Sequence, residues 1–257
     1  MYQKQLQFAI NLSKRAGDIL LENYGKSKKV IQKGKKDYAT NIDIEIEKLI
    51  VKEIEKEYPT HSIVGEELGN KNKSSNYVWY IDPLDGTKNY FNKIPLFGVS
   101  IALAKNNKLV LGVINLPILN ELYYAEEGNG AYMNNKLISI TKKKDFEECI
   151  LGSNSGYARS KYESAIYRAI ARKVSSTRIL GCTTVDLCFI ASGKIDIYMS
   201  SFLNPWDFAA GLLIAKESGA EATTNKGEQI KLTKTNIIIA NKYLHGEVLK
   251  IITIFNH

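Results

Sequence analysis

Cysteine is scarce in this 257-residue chain, and its three copies, Cys149, Cys182 and Cys188, are an odd number without short paired spacings. Neither a disulfide framework nor a zinc ligand set is indicated. Histidine is equally sparse. His61, His245 and His257 form no ligand-spaced cluster, which sets imidazole-based metal sites aside. No apolar run approaches the roughly 20 residues that span a bilayer. The opening Met1-Tyr2-Gln3-Lys4-Gln5-Leu6 soon reads as an amphipathic helix, without the apolar block or small-residue cleavage site of a signal peptide. Repeats, low-complexity tracts and flexible linkers are also missing. The expected setting is a reducing cytoplasm, with no membrane as partner.

What is there is enough for a substantial core. The hydrophobic fraction of 44% is ordinary, and the length allows one two-lobed domain or two small domains in close contact. The formal charge is +8, but the lysines are scattered, and the densest run, Lys142-Lys143-Lys144, is short. With no zinc-finger spacing and no aromatic-plus-glycine RNA-binding motif, nucleic acid is not the expected partner.

Apolar spacing predicts a helix over residues 2–24 stopped by Gly25, and another over 43–57 ended before Pro59. Strands are expected at 61–64 and 78–81, then a hairpin of 98–105 and 108–115 about Asn106-Asn107. Short strands at 121–125 and 131–133 flank Gly128-Asn129-Gly130. From residue 150 the rhythm changes to strand–helix alternation: strands at 150–154, 177–180, 195–200 and 237–240, helices at 161–174, 184–192, 206–218 and from Leu244. The first half reads as an antiparallel meander with helices on one face, the second as a layered α/β lobe. The change of rhythm falls near residues 141–149, and the expectation is one domain over 1–257 with lobes of about 1–145 and 146–257.

The most informative segment is Trp79-Tyr80-Ile81-Asp82-Pro83-Leu84-Asp85-Gly86-Thr87. A buried-looking strand runs into a turn with two carboxylates three residues apart, stiffened by proline and freed by glycine. Such a turn can aim Asp82, Asp85 and the Leu84 carbonyl at one point, a hard-oxygen site for Mg²⁺ or Mn²⁺. It fits equally an ordinary strand-ending turn whose aspartates accept backbone amides. Gly65-Glu66-Glu67 places a second acidic pair at a strand end, with Glu67 read as a neighbour of Glu66. Asp207 opens an otherwise apolar helix, where taken alone it reads as an N-cap.

Together these segments resemble the inositol monophosphatase-like family of magnesium-dependent, lithium-sensitive phosphatases. Gly65-Glu66-Glu67 is similar to its Gly-Glu-Glu element, Asp82-Pro83-Leu84-Asp85-Gly86-Thr87 to its central signature, and Trp206-Asp207-Phe208-Ala209-Ala210-Gly211 to its C-terminal element. Gly128-Asn129-Gly130-Ala131 resembles a further family turn. The resemblance spans nearly the whole chain and implies an α+β fold, a layered α-β-α-β-α sandwich of the inositol monophosphatase-like (sugar phosphatase) type. It implies one Mg²⁺ on Glu66, Asp82 and the Leu84 carbonyl, and a second on Asp82, Asp85 and Asp207. A weaker third ion is implied near Glu66, and Mn²⁺ as a substitute. Gly86 and Thr87 would receive the phosphate, and the Thr87 hydroxyl would orient an attacking water. Asp37-Tyr38-Ala39-Thr40-Asn41-Ile42-Asp43 is similar to a family stretch that makes Asp43 the partner of Thr87; Asp43 also reads as a helix cap, as does Thr40.

The resemblance implies a phosphoric monoester hydrolase acting on a sugar or polyol phosphate such as inositol monophosphate, and a homodimer. In inositol-preferring members a glutamate several residues before the C-terminal element contacts the sugar hydroxyls; the same distance here falls near Ser200, within Tyr198-Met199-Ser200-Ser201-Phe202, where no glutamate stands. A neutral serine puts myo-inositol 1-phosphate in doubt and opens fructose 1,6-bisphosphate, histidinol phosphate, PAP and NADP(H) as alternatives. Asp85, Gly86, Thr87, Cys182, Thr183, Ser200 and Asp207 are the expected substrate-lining residues, although Cys182 also fits a buried structural thiol. An RNA- or transcription-associated binding protein is the alternative of another class. Tyr90, Phe91 and Phe97, just after the central signature, read as core or interface packing, with the site entrance as the alternative.

Overall fold

The computed structural model describes residues 1–26, 30–34 and 37–255; for 30–34, 37–40 and 158–159 the backbone alone is described. Helix α1 (Gln3–Asn23) buries Ala9, Leu12, Ala16 and Leu20 along one stripe, the spacing its sequence predicts. A two-stranded ribbon of β1 (Val30–Gly34) and β2 (Asp37–Thr40), unanticipated from the sequence, leads directly into α2 (Asn41–Glu57).

Next come β3 (Ser62–Gly65), β4 (Asn70–Lys71), β5 (Tyr77–Asp85), α3 (Thr87–Phe91), β6 (Gly98–Lys105) and β7 (Lys108–Leu116). β8 (Glu121–Glu126), β9 (Ala131–Met133) and β10 (Lys136–Ile138) complete an eight-stranded sheet in the order β10-β9-β8-β7-β6-β5-β3-β4. Its β6–β7 hairpin turns at Asn106 and Asn107, both left-handed (φ 51° and 61°), the conformation a two-residue turn asks for. The sheet departs from a pure meander at one point: β3 pairs with β5 in parallel.

The second sheet is built from β11 (Ile150–Ser153), β12 (Ser176–Arg178), β13 (Ile197–Leu203), β14 (Glu221–Thr223) and β15 (Thr235–Ala240). Its order is β12-β11-β13-β15-β14, with β11 parallel to β12 and β13, and β15 antiparallel to both its neighbours. Between these strands run α4 (Lys161–Ala171), α5 (Thr183–Ala191) and α6 (Pro205–Glu217), and α7 (Lys242–Thr253) follows β15.

Three apolar clusters order the layers. One joins α1 and α2 to the eight-stranded sheet, a second joins the other face of that sheet to α5, α6 and the five-stranded sheet, and a third lies between that sheet and α4 with α7. The result is the layered α-β-α-β-α sandwich. The central helices have no polar side to speak of. α6 buries every residue from Phe208 to Ala215, and α5 buries Thr183 to Cys188, as helices enclosed on both faces must. Gly112 on β7 permits their close approach, since a Cβ there would lie 2.6 Å from the Ala210 carbonyl oxygen of α6.

The histidines belong to the scaffold. His61 Nδ1 accepts from Trp79 Nε1 (3.0 Å) in a stack with Tyr58 and Tyr77, and His245 Nε2 bonds the Thr223 hydroxyl (3.0 Å). His257 lies outside the described residues. Tyr90 and Phe97 are core, whereas Phe91 is exposed. Cys149, Cys182 and Cys188 are buried and unbonded to one another. Among the described residues no helix is long and apolar enough to cross a membrane.

Candidate active site

The central pair of acids is set by a β-bulge, not by the strand-ending turn that the sequence predicts. Along β5, Asp82 pairs with Ser100 and Asp85 with Gly98, so three steps on β5 oppose two on β6. In a regular strand, residues three apart point to opposite faces. The extra residue cancels that, and Asp82 and Asp85 share the face of Ser100 and Gly98. Pro83 fits here because a bulge does not need its missing N–H. The face looks onto the beginnings of α5 and α6: the Ser100 hydroxyl donates to the Trp206 carbonyl (3.4 Å), and a Cβ on Gly98 would lie 3.1 Å from Thr184 Oγ1.

Glu66 arrives by the parallel pairing. Gly65 is in register with Ile81, so the residue after β3 emerges beside Asp82 at the same end of the sheet. Asp207 comes from the first turn of α6, where its Oδ2 accepts from the Asn204 N–H (2.7 Å). The N-cap is thus Asn204, with Asp207 three residues inside, which corrects the simple N-cap reading. Each β5 aspartate is also tied to backbone: Asp82 Oδ1 accepts from Leu84 N (3.0 Å), and Asp85 Oδ2 from Thr184 N at the start of α5 (2.5 Å).

Four acids therefore meet, Asp82 buried and Glu66, Asp85 and Asp207 half-buried. Burial first, then the charges of Glu66, Asp85 and Asp207, push the Asp82 carboxyl well above the usual carboxylate range; Glu66 is also in hydrogen-bonding reach of it. Asp85 is raised by burial against the pull of the Thr184 and Cys182 donors. Asp207 is pushed up to about 7, by burial and then by Asp85, against the opposing Asn204 N–H and the Lys234 charge. Two carboxyls within hydrogen-bonding reach, one buried and one half-buried, can share that bond only if one keeps a proton, or if a cation takes the proton's place. The donor set, all hard oxygens with unbalanced charge, fits Mg²⁺ or Mn²⁺. Among the described residues no three such side chains already converge as tightly as a bound ion requires, each β5 aspartate and Asp207 being turned toward a backbone N–H.

Gly86 takes a left-handed φ of 83° and caps α3, and a Cβ there would press within 2.8 Å of the Leu96 carbonyl oxygen. The Thr87 hydroxyl donates to the Leu84 carbonyl oxygen (3.0 Å). Asp43 is buried in the first turn of α2, close enough to Tyr90 of α3 to add to burial in raising that phenol to about 12. The side chains of Asp37 and Thr40 lie outside the described residues. Cys182 is buried with its thiol 3.3 Å from Asp85 Oδ2, and burial followed by Asp85 raises its pKa well above normal. Thr183 and Ser200 are buried nearby, and the Ser200 hydroxyl has no hydrogen-bond partner among the described residues. A cleft of about 1060 Å³ along α1 contains none of these acids, so cleft size alone does not mark the site.

One residue escaped the sequence reading. Glu47, fully buried on α2, accepts from Glu67 N through Oε2 (2.8 Å) and from Leu68 N through Oε1 (2.9 Å), and so fixes the loop that carries Glu66. Gly65 is needed beneath it, because a Cβ would fall 2.0 Å from Glu47 Oε1. The signal was present: a glutamate in the same apolar stripe as Ile46, Ile50 and Ile54. Glu47→Gln turns one acceptor into a donor and leaves a backbone N–H unmatched, a loss of about 1–3 kcal/mol to be read from urea unfolding.

The fold is thus a layered sandwich that gathers a charge-unbalanced set of carboxylates at its strand ends. The chain belongs to the inositol monophosphatase family, whose model matches residues 1–255. It is 36% identical over 249 residues to a fructose-1,6-bisphosphatase/inositol-1-monophosphatase of Thermotoga maritima, covering 96% of this chain and 95% of that one. It is likewise 36% identical over 250 residues to Nus factor SuhB of Haemophilus influenzae, covering 95% and 94%. The solved structure of the extragenic suppressor protein SuhB from Bartonella henselae superposes with a TM-score of 0.92 at 31% identity, over 97% of this chain and 98% of that one.

Proposed function

We propose that this protein is a Mg²⁺-dependent phosphatase of small phosphate monoesters whose alcohol is a sugar or polyol. The observation that carries the proposal is the gathering of Asp82, Asp85 and Asp207, each raised above the usual carboxylate range, with Glu66 against Asp82, a charge imbalance that divalent cations relieve. In this reading Glu66, Asp82 and the Leu84 carbonyl hold one ion. Asp82, Asp85 and Asp207 hold another, with a weaker third site near Glu66 and Mn²⁺ as a substitute. Bound there, the ions would offset the repulsion between nucleophile and dianion and acidify water.

The chain's own groups do the rest. The N–H groups of Gly86 and Thr87 receive the phosphate oxygens, and the first turns of α5 and α6 add their positive ends to the same locus. The Thr87 hydroxyl, which in this structure donates to the Leu84 carbonyl oxygen, would turn its proton to Asp43 and orient water for direct attack. Cys182 holds Asp85 in place, while Thr183 and Ser200 line the alcohol side. A cytoplasmic homodimer that uses the exposed Phe91 and Ile94 is part of the same reading.

Phosphate release from a panel tests it: inositol and hexose monophosphates, fructose 1,6-bisphosphate, histidinol phosphate, PAP and NADP. Turnover of a monophosphate that requires Mg²⁺ and falls with Li⁺ is expected; no release from any ester rejects the proposal. The likeness to Nus factor SuhB favours a second reading, an RNA- or transcription-associated role. Selective RNA binding by the wild type and by Asp82→Asn, without catalysis in either, is its signature.

A further inference from the structure

Helix α2 carries two buried acids four residues apart, Asp43 and Glu47, a spacing that puts them on one side of the helix. Glu47 uses both of its carboxylate oxygens, Oε2 on the Glu67 N–H (2.8 Å) and Oε1 on the Leu68 N–H (2.9 Å). An ionised carboxylate offers two such oxygens, where a glutamine offers one. Hydrogen bonds to a charged acceptor are also the stronger kind. The base of the same loop is closed by Gly65, whose N–H donates to the Gly69 carbonyl oxygen (3.3 Å). Glu66 is thus the residue between two backbone ties, one at 65 and one at 67 and 68.

The other three acids of the cluster are held differently. Asp82, Asp85 and Asp207 each spend a carboxyl oxygen on a backbone N–H, of Leu84, Thr184 and Asn204. Those contacts must be shared or released when the oxygen turns to an ion. Glu66 is instead fixed through its neighbours' backbone, with its carboxyl in hydrogen-bonding reach of Asp82. A ligand set in place beforehand loses little freedom when its ion arrives, so the clamp behind it converts into affinity. Burying the Glu47 charge is costly in itself, and the two N–H groups that offset the cost lie immediately beyond Glu66.

We propose that Glu47 is a positioning residue for the cation held by Glu66: through the backbone of residues 67 and 68 it presets the Glu66 carboxyl, and so governs how tightly that one ion binds. The role rests on the metal-dependent phosphatase reading. The ion on Asp82, Asp85 and Asp207 lies outside its influence, because none of those three is carried by the clamped loop.

Mn²⁺ binding to the whole protein, followed by the paramagnetic resonance signal of the free ion, reads this role without turnover. Glu47→Asp keeps the charge but is one methylene too short to span both N–H groups, and Glu47→Gln keeps the length but gives up one acceptor. Both should weaken one Mn²⁺ site by roughly tenfold and leave the other as it is in the wild type. The Mg²⁺ concentration for half-maximal phosphate release should rise by a similar factor, with kcat at saturating Mg²⁺ within about twofold of the wild type. Ile54→Val, two turns further along α2, also lowers stability but should leave both affinities unchanged. Should Glu47→Gln fail to fold, Glu47→Asp decides alone. Unchanged affinities in both Glu47 variants overturn the role. So does weakening in Glu47→Gln alone, which would trace it to charge, or an equal loss in Ile54→Val, which would trace it to stability. A wild type that binds no Mn²⁺ overturns the metal reading and this role with it. Mn²⁺ bound with the expected Glu47 dependence, but no phosphate released from any ester, rejects the phosphatase reading while the role stands.

Discussion

Asp82→Asn is expected to lower Mg²⁺-dependent turnover by roughly a thousandfold or more, at about 1.4 kcal/mol per factor of ten. Asp82 is the acid that the other three surround: Glu66, Asp85 and Asp207 all act on its carboxyl. In the proposed function it is the residue shared between two cation positions, so its loss would weaken both. The fold should not suffer. An asparagine oxygen can still accept from Leu84 N, the contact Asp82 Oδ1 makes at 3.0 Å, and the amide removes a buried charge. The metal-free variant should therefore melt no lower than the metal-free wild type, as circular dichroism will show. Near-normal turnover with Mg²⁺ would remove Asp82 from the site's chemistry.

Stability of the metal-free protein should fall as pH rises from 6.5 to 8. Asp82 and Asp85 are raised in the folded state, and Asp207 stands at about 7 against 3.8 when unfolded. Each folded carboxyl thus holds its proton to higher pH than the unfolded chain does. The associated stability is fully present below the unfolded value and is lost as pH climbs through the folded one. Burial lowers the pKa of both His61 and His245, so their unfolded imidazoles still shed protons just above pH 6.5 and offset the slope there by up to about 0.4 kcal/mol each; Asp82 and Asp85 add to Asp207 and keep its net sign downward. Asp207 alone contributes about 1 kcal/mol across the window, or about 2–4 °C in a chain of this size. Saturating Mg²⁺ should raise the melting temperature at pH 8 and flatten the slope, since bound cations replace the protons. A melting temperature that rises with pH in EDTA would contradict the charge imbalance on which the site is built.

The sequence showed the acids more clearly than their meeting. Asp82, Asp85, Glu66 and Asp207 stand out locally because glycine and proline flank them and each closes a strand or opens a helix. The β6–β7 hairpin was legible for the same local reason, two asparagines suited to left-handed turn positions. What remained hidden was decided between distant segments. Nothing in Ser62–Gly65 announces that it runs parallel to β5, yet that pairing sets Glu66 beside Asp82. The bulge in β5 depends on register against its partner strand, which alternation along one strand does not reveal. Strands of three residues such as β14 are too short for their period to show. Glu47 was passed over because a charge in an apolar stripe has meaning only once its partner, the backbone of residues 67 and 68, is in view.

Anomalous diffraction from crystals soaked in Mn²⁺ addresses the central claim most directly. Peaks are expected in the space bounded by the carboxyls of Glu66, Asp82, Asp85 and Asp207, and they should vanish in Asp82→Asn crystals soaked alike. Manganese bound only elsewhere on the wild-type molecule, or none at saturating concentration, would contradict it.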